Sequence, residues 1–184
     1  MIYENKKAVF LDKDGTLIVD VPYNVNPALI VLSGHCLNGL KRLQQHGYLL
    51  VVISNQAGVA MGYFEEAALT AVEKQLKELL TSAGIVLNGF YYCPHHPADH
   101  CNCRKPAPGL LYRAAAELSI DLKASWMIGD ILDDVEAGTR AGCKSILIDN
   151  DNETEWLVNE LRTPAAVALT INEAADYILK TNGD

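Results

Sequence analysis

The sequence predicts an α/β fold, a Rossmann-like open parallel sheet with helices on both faces and no separate cap domain. Short apolar runs alternate along the chain with stretches of helical period, which is the pattern of βαβ units. Polar residues follow directly after several of these runs, at the sheet edge where such folds bind ligands. We expect a single domain over residues 1–184.

The first element is an apolar run at 8–11 that ends in polar residues, as expected of a buried parallel strand. Later apolar runs are bounded by similar polar or glycine-containing segments. Together these runs predict six strands, at residues 8–11, 48–53, 90–92, 126–128, 145–148 and 166–169.

Between the runs, apolar side chains recur every three or four residues. Leu69, Val72 and Leu76 begin the clearest apolar face, which Gly84 closes. Thr170 and Glu173 have the capping-box spacing that starts a helix. We therefore predict helices over 37–43, 69–80, 108–118, 131–141 and 155–161, and a last one from residue 170 onward.

Composition limits the possible partners. A net charge of −8 and a pI near 5.1 argue against nucleic acid or an anionic membrane as a partner. The polar first residues lack the apolar core of a signal peptide, and no apolar run approaches membrane-spanning length. We expect a cytoplasmic monomer without nucleic-acid or membrane partners.

Three of the five cysteines and three of the five histidines lie within residues 93–103. Thiolates and an imidazole this close together predict a structural zinc site on a loop, with the ligands Cys93, His95, Cys101 and Cys103. A disulfide or a cysteine nucleophile is an alternative, and His96 or His100 could replace a ligand. Cys36 and Cys143 lie in apolar surroundings and are predicted to be inert core thiols.

The zinc loop ends directly on Arg104 and Lys105, so a bound metal would fix where two cations point. Asp12 and Asp14 follow the first predicted strand, and two residues apart in extended backbone they point to the same side. Two such carboxylates can divide labour between nucleophile and acid/base. Carboxylates and cations together suggest phosphate chemistry.

Two segments begin like calcium-binding loops. In the first, which starts at Asp12, Leu17 and Tyr23 stand where that loop requires glycine and glutamate. In the second, at 149–153, Thr154 takes the position of the glycine. We reject the first as a calcium site and predict a solvated turn for the second.

Four motifs then carry a family resemblance: Asp12-Lys13-Asp14-Gly15-Thr16, Ser54, Lys105 and Gly129-Asp130-x-x-x-Asp134. Their types and order resemble the haloacid dehalogenase superfamily phosphatases. The cysteine loop followed by Arg-Lys-Pro resembles a zinc-containing branch of that superfamily, which includes heptose bisphosphate phosphatases and histidinol-phosphatases. Residues 54–62 are closer to the heptose enzymes, whereas the short zinc loop is similar to that of histidinol-phosphatases.

The resemblance implies a Mg²⁺-dependent phosphatase that forms an aspartyl-phosphate. Asp12 would attack phosphorus, while Asp14 would protonate the leaving oxygen and then activate water. Mg²⁺ would be held by Asp12, Asp130 and the backbone carbonyl of Asp14. Metal binding by Asp134 is an alternative, but we favour a role for it in orienting a cation. The implied substrate-binding residues are Asp20, Tyr23, Ser54, Asn55, Gln56, Arg104 and Lys105.

Three functions remain open. The resemblance favours removal of the C7 phosphate of D-glycero-D-manno-heptose 1,7-bisphosphate, a small phosphorylated sugar on a route to nucleotide-activated heptose. The second is hydrolysis of histidinol phosphate or another small phosphate ester. The third is a non-catalytic phosphate-binding or phosphoacceptor module. The presence of Asp14 argues against it, because a protein that only accepts a phosphoryl group needs no acid to protonate a leaving alcohol.

Overall fold

The computed structural model describes residues 6–181, and its centre is one six-stranded sheet. The strands are β1 (Lys7–Leu11), β2 (Tyr48–Asn55), β3 (Gly89–Cys93), β4 (Trp126–Gly129), β5 (Lys144–Ile148) and β6 (Ala166–Ala168). All neighbouring pairs are parallel, and the order across the sheet is β3-β2-β1-β4-β5-β6. The chain order reverses between β1 and β4, the place where open α/β sheets form a crevice.

Helices follow the strands as predicted, with one exception. They are α1 (Cys36–Gln45), α2 (Ala68–Ser82), α3 (Gly109–Leu118), α4 (Leu132–Ala141) and α5 (Ile171–Thr181), with short 3₁₀ turns at Pro27–Leu29, Pro97–Asp99 and Leu122–Ala124. Within residues 6–181, no helix combines the length and the apolar character needed to cross a bilayer.

The two faces of the sheet bury separate apolar layers. Along β1, Val9 and Leu11 belong to one layer, and Ala8 and Phe10 belong to the other, as the twofold period of a strand requires. The first layer packs against α1, α2 and α5, and the second against α3 and α4. Each fully buried large side chain contributes about 1.5–3 kcal/mol to stability. The predicted α/β architecture is confirmed.

The helix predicted at 155–161 is wrong. Residues 149–165 connect β5 to β6 without a helix or a strand. The side chain of Asn159 accepts hydrogen bonds from the backbone N–H groups of Leu161 and Arg162, which offers the backbone an alternative to a helix. Trp156 has a φ of 49°, which a right-handed helix excludes.

Candidate active site

Polar side chains meet at the carboxyl ends of adjacent strands. Asp12 directly follows β1, Ser54 lies near the end of β2, and Asp130 directly follows β4. All three are buried. Because β2, β1 and β4 are neighbours in the sheet, strand pairing alone brings together residues that are far apart in sequence.

Lys105 is the centre of a buried ion cluster. Its Nζ contacts the carboxylate of Asp12, lies 2.6 Å from Oδ1 of Asp134 and donates to the carbonyl oxygen of Ile53 at 2.9 Å. Lys105 is only 3% exposed and Asp134 only 1%, so each charge depends on its partners. A Cβ on Gly129 would lie 2.2 Å from the Asp134 side chain, so glycine is required there.

Three carboxylates of this cluster could hold a metal ion. Oxygens of Asp12, Asp130 and Asp134 lie within 4.8 Å of one another. Burial raises the pKa of Asp12; Lys105 opposes this, and the neighbouring carboxylates, led by Asp134, add to it. Burial, and then Asp134, also raise the pKa of Asp130. Buried oxygen donors with surplus negative charge fit a hard divalent cation such as Mg²⁺.

Asp14 is held through both of its carboxylate oxygens. Lys13, a buried residue, places Nζ 2.9 Å from Oδ1, and Gln56 Nε2 donates to Oδ2 at 3.0 Å. Gln56 Nε2 also lies 2.8 Å from Ser54 Oγ. The amide of Gln56, predicted as a substrate contact, therefore links Asp14 to Ser54 and fixes the orientation of the Asp14 carboxylate.

Asn55 fixes the segment that carries Lys105. The Lys105 N–H donates to Asn55 Oδ1 at 3.0 Å, and Asn55 Nδ2 donates to the Lys105 carbonyl oxygen at 3.2 Å. Both sides of the Lys105 backbone are thus tied to the end of β2. The Asn55 side chain thus positions Lys105, and the predicted contact of Asn55 with substrate stays a prediction.

A cavity of about 300 Å³ opens beside Asp14. The predicted substrate residues Asp20, Tyr23 and Arg104 all line it. Nη1 of Arg104 is buried and has no hydrogen-bond partner within residues 6–181. A guanidinium with a free donor suits an anionic or hydroxyl-bearing ligand.

One wall of this cavity is aromatic and strained. Tyr23 has a φ of 54°, a rare conformation for a bulky residue, and its ring packs edge-on against Tyr63 with centroids 4.7 Å apart. Met61 also lines the cavity. Neither Met61 in the cavity wall nor Tyr63 behind Tyr23 was predicted, because an aromatic or a methionine in a loop has no sequence pattern that marks such a role.

The second potential metal group contains the four predicted zinc ligands. Sγ atoms of Cys93, Cys101 and Cys103 lie 3.2–3.5 Å apart, and His95 Nδ1 lies 3.4 Å from Cys93 Sγ and 3.2 Å from Cys103 Sγ. A tetrahedron with Zn–S bonds of about 2.3 Å has edges of about 3.8 Å. The four atoms would move apart by a few tenths of an ångström to hold zinc, so the donor set fits this ion.

The structure does not favour a disulfide in the zinc loop, or His96 or His100 as a zinc ligand. All five cysteines are free thiols. His96 Nδ1 accepts from the backbone N–H of Ala98, and neither His96 nor His100 belongs to the metal-binding group. The Arg104 N–H lies 3.4 Å from Cys101 Sγ, so the cluster is bonded directly to the segment that enters the active site.

The turn at 149–153, predicted to be merely solvated, reaches the site. Asn152 Nδ2 donates to Asp130 Oδ2 at 2.6 Å, and Asn150 Nδ2 donates to the Gly15 carbonyl oxygen at 2.6 Å. Asparagine is common in any turn, so the sequence carries no signal that would distinguish these two.

Comparison with known proteins places this chain in a family. A HAD-hydrolase-like family model matches residues 102–174. The D-glycero-β-D-manno-heptose-1,7-bisphosphate 7-phosphatase of Pasteurella multocida (strain Pm70) is 40% identical over 97% of this chain and 94% of its own. The enzyme of that name from Escherichia coli (strain K12) is 35% identical over 84% of this chain and 89% of its own. This chain belongs to the heptose bisphosphate phosphatase family.

A solved structure of the family has the same fold. The D,D-heptose 1,7-bisphosphate phosphatase from B. bronchiseptica, complexed with magnesium and phosphate, aligns with a TM-score of 0.85 and 31% identity, covering 95% of this chain and 99% of that one. The predicted relationship to haloacid dehalogenase-like phosphatases is therefore confirmed.

Proposed function

We propose that this chain is a Mg²⁺-dependent phosphatase that removes the C7 phosphate of D-glycero-β-D-manno-heptose 1,7-bisphosphate. The observation that carries the proposal is the 40% identity, over 97% of the chain, to a phosphatase named for this substrate. The site supplies the chemistry: a buried aspartate, Asp12, contacts a buried lysine at the crevice of the sheet, and the half-buried Asp14 lies two residues away.

Asp12 is the proposed nucleophile. Lys105 engages its Oδ1, which leaves Oδ2 to attack phosphorus and form an aspartyl-phosphate while the bond to the C7 oxygen breaks. The Lys105 ammonium donates to the Ile53 carbonyl oxygen, and Asn55 holds the Lys105 backbone. The ammonium would offset charge on the transferring phosphoryl group. Ser54, near the carboxyl end of β2, would donate its hydroxyl to a phosphate oxygen.

Asp14 is the proposed general acid and base. It would give a proton to the departing C7 oxygen and then take one from the water that hydrolyses the aspartyl-phosphate. Lys13 and Gln56 each hold one of its oxygens, so the carboxylate has little rotational freedom to lose in the transition state. General acid–base catalysis of this kind contributes about 10²–10⁴-fold to the rate.

Asp12, Asp130 and Asp134 are the proposed side-chain ligands of Mg²⁺, with the backbone carbonyl of Asp14 as a fourth. Bound there, Mg²⁺ would offset the negative charge of the carboxylates and of the incoming phosphate. Asp134 was expected to orient a cation, and its contact with the Lys105 ammonium supports that role. Its place among the ligands is an addition, because it also offers a carboxylate oxygen to the same group.

Zinc has a structural role in this proposal. Cys93, His95, Cys101 and Cys103 fill four positions, the number of a closed site. The loop they close leads within one residue to Arg104 and within two to Lys105.

Arg104, Asp20 and Tyr23 are proposed to bind the rest of the substrate. A bisphosphate carries a second anionic group, and the unpaired Nη1 of Arg104 is a donor suited to it. Asp20 offers a carboxylate to sugar hydroxyls in the same cavity. The Tyr23 ring supplies the apolar surface against which a sugar can pack.

Rates measured side by side test the proposal. The zinc-loaded protein is assayed for phosphate release from the β and α anomers of the heptose bisphosphate and from histidinol phosphate, with and without Mg²⁺. We expect Mg²⁺-dependent turnover that is fastest on the β anomer, with the C1 phosphate retained in the product by NMR. Faster turnover of histidinol phosphate would favour the second function, and no turnover of any ester would favour a binding module. Asp12→Asn is the control for contaminating phosphatase.

A further inference from the structure

We propose that Asn152 is a positioning residue for the divalent cation site, because its side-chain amide holds the Asp130 carboxylate in the orientation that binds the ion. This inference rests on the Mg²⁺ site of the proposed function and extends it to a residue outside the four motifs. Asn152 contacts Asp130 rather than a reacting atom, so its effect is exerted through Asp130.

The contact completes a pair of hydrogen bonds. Asn152 Nδ2 lies 2.6 Å from Asp130 Oδ2, and Thr16 Oγ1 donates to Asp130 Oδ1 at 3.0 Å. Each carboxylate oxygen therefore accepts one bond, and together the two bonds fix the rotation of the carboxylate plane. A carboxylate oxygen has more than one acceptor position, so both oxygens can still bind a cation.

Sheet topology brings the Asn152 turn to this place. The turn follows β5, which is the direct neighbour of β4, and Asp130 follows β4. In the same turn, Asn150 donates to the carbonyl oxygen of Gly15, which lies in the segment after β1. Two amides of one turn thus join the ends of three adjacent strands.

Gly15 makes the close approach possible. Its φ is 83°, a conformation that favours glycine. A Cβ at this position would lie 2.2 Å from Asp130 Oδ2 and 2.6 Å from Asn152 Nδ2. The backbone at Gly15, the carboxylate and the amide are therefore packed against one another, which restricts the amide to its contact with Asp130.

The far side of the turn is anchored to α4. Glu153 Oε2 accepts from the Leu132 N–H at 2.7 Å, at the first residue of the helix. Further along the same loop, Arg162 Nη2 donates to Asp133 Oδ1 at 2.8 Å. Asn152 itself is exposed, so its replacement removes the bond to Asp130 without opening the core.

Ion binding is the direct test. Mn²⁺ binding, followed by electron paramagnetic resonance with Mg²⁺ as competitor, is compared in the zinc-loaded full chain and in Asn152→Ala. Asn159→Ala is the matched control, because Asn159 lies in the same loop and accepts its bonds from Leu161 and Arg162. Asn150→Ala is a second variant, which frees the same turn from Gly15.

Loss of a hydrogen bond to a metal ligand typically weakens metal binding by about 10–100-fold. We expect this loss in Asn152→Ala, with Asn159→Ala within about twofold of wild type. At saturating Mg²⁺, turnover of Asn152→Ala should return to near the wild-type rate, since only the affinity for the ion has changed. Wild-type affinity in Asn152→Ala, or an equal loss in Asn159→Ala, would overturn the inference. If Asn152→Ala loses its native circular dichroism, Asn150→Ala decides by the same criterion. A wild-type protein that binds neither ion would instead refute the proposed function.

Discussion

Replacing Lys105 with methionine tests whether this lysine holds the active site together. The side chain keeps nearly its length but loses the ammonium, whose Nζ contacts Asp12, lies 2.6 Å from Asp134 Oδ1 and donates to Ile53 O at 2.9 Å. Two carboxylates and a carbonyl would then face an apolar group in a buried site.

The expected loss of stability is large. Removing one partner of a buried ion pair costs about 3–5 kcal/mol, and here two carboxylates share one ammonium. Asp12 can relieve the repulsion by taking up a proton, so the loss should be smaller at pH 5 than at pH 8. Asp134→Asn in the same background should restore part of the stability, because the two residues are in direct contact.

Urea unfolding of the zinc-loaded, Mg²⁺-free protein measures this loss. With a slope of about 1–3 kcal/mol per molar urea, the transition midpoint should fall by at least about 1 M. Lys77→Met is the matched control: Lys77 Nζ lies 2.5 Å from Glu73 Oε1 on the exposed face of α2, where such a pair contributes about 0.3–0.5 kcal/mol. If Lys105→Met loses no more stability than Lys77→Met, the ion cluster does not stabilise the fold and the reasoning is refuted.

Three other predictions concern the same site. Asp12→Asn should reduce turnover to background without unfolding the protein, and a phosphate adduct on another residue, found by mass spectrometry, would contradict Asp12 as nucleophile. Asp14→Asn should lower kcat on the sugar phosphate by about 10²–10⁴-fold, the usual contribution of general acid catalysis. Elemental analysis should show that Cys101→Ser has lost zinc, and its KM should rise while its kcat falls. If the activity of the wild-type protein requires added zinc that Mg²⁺ cannot replace, the structural role of zinc is wrong. Burial raises the pKa values of Asp12 and Asp130 in the Mg²⁺-free native state. Between the unfolded and native pKa values of these carboxyls, the native state therefore binds more protons than the unfolded chain, so its free energy of unfolding falls as pH rises. The increase in Tm caused by Mg²⁺ should therefore be larger at pH 8 than at pH 5.5, and an equal increase would contradict this.

Features that depend on local pattern could be predicted from the sequence. The strand predicted at 126–128 is observed as Trp126–Gly129, and the helix predicted at 108–118 as Gly109–Leu118. In such segments, apolar period and the surrounding glycine or proline agree with the tertiary packing. One of the two bonds of the predicted capping box is observed: Thr170 Oγ1 accepts from the Glu173 N–H. The Glu173 carboxylate accepts from the Leu169 N–H instead of that of Thr170.

Features that depend on contacts distant in sequence could not be predicted. The periodicity at 155–161 is compatible with a helix, and only the structure shows the backbone bonded to Asn159 instead. The bond from Asn152 to Asp130 spans β4 to β5 and leaves no trace in the order of residues. The bonds from the Gln56 amide to Asp14 and Ser54 could not be predicted either, and its contact with substrate stays a prediction. The single domain, the monomeric state and the cytoplasmic location stay predictions.

The sequence separations within the two metal groups predict the order in which they form during folding. Cys93 and Cys103 are 10 residues apart, whereas Asp12 and Asp130 are 118 apart. Loop-closure entropy makes the longer contact about 2 kcal/mol costlier before other interactions compensate. On a ribosome adding about 5–20 residues per second, the cysteine loop is complete before β4 has been synthesised. On the proposed assignment of the two groups, the zinc ligands of a nascent chain come together while Asp12 and Asp130 are still apart, and the Mg²⁺ site forms only when β4 pairs with β1.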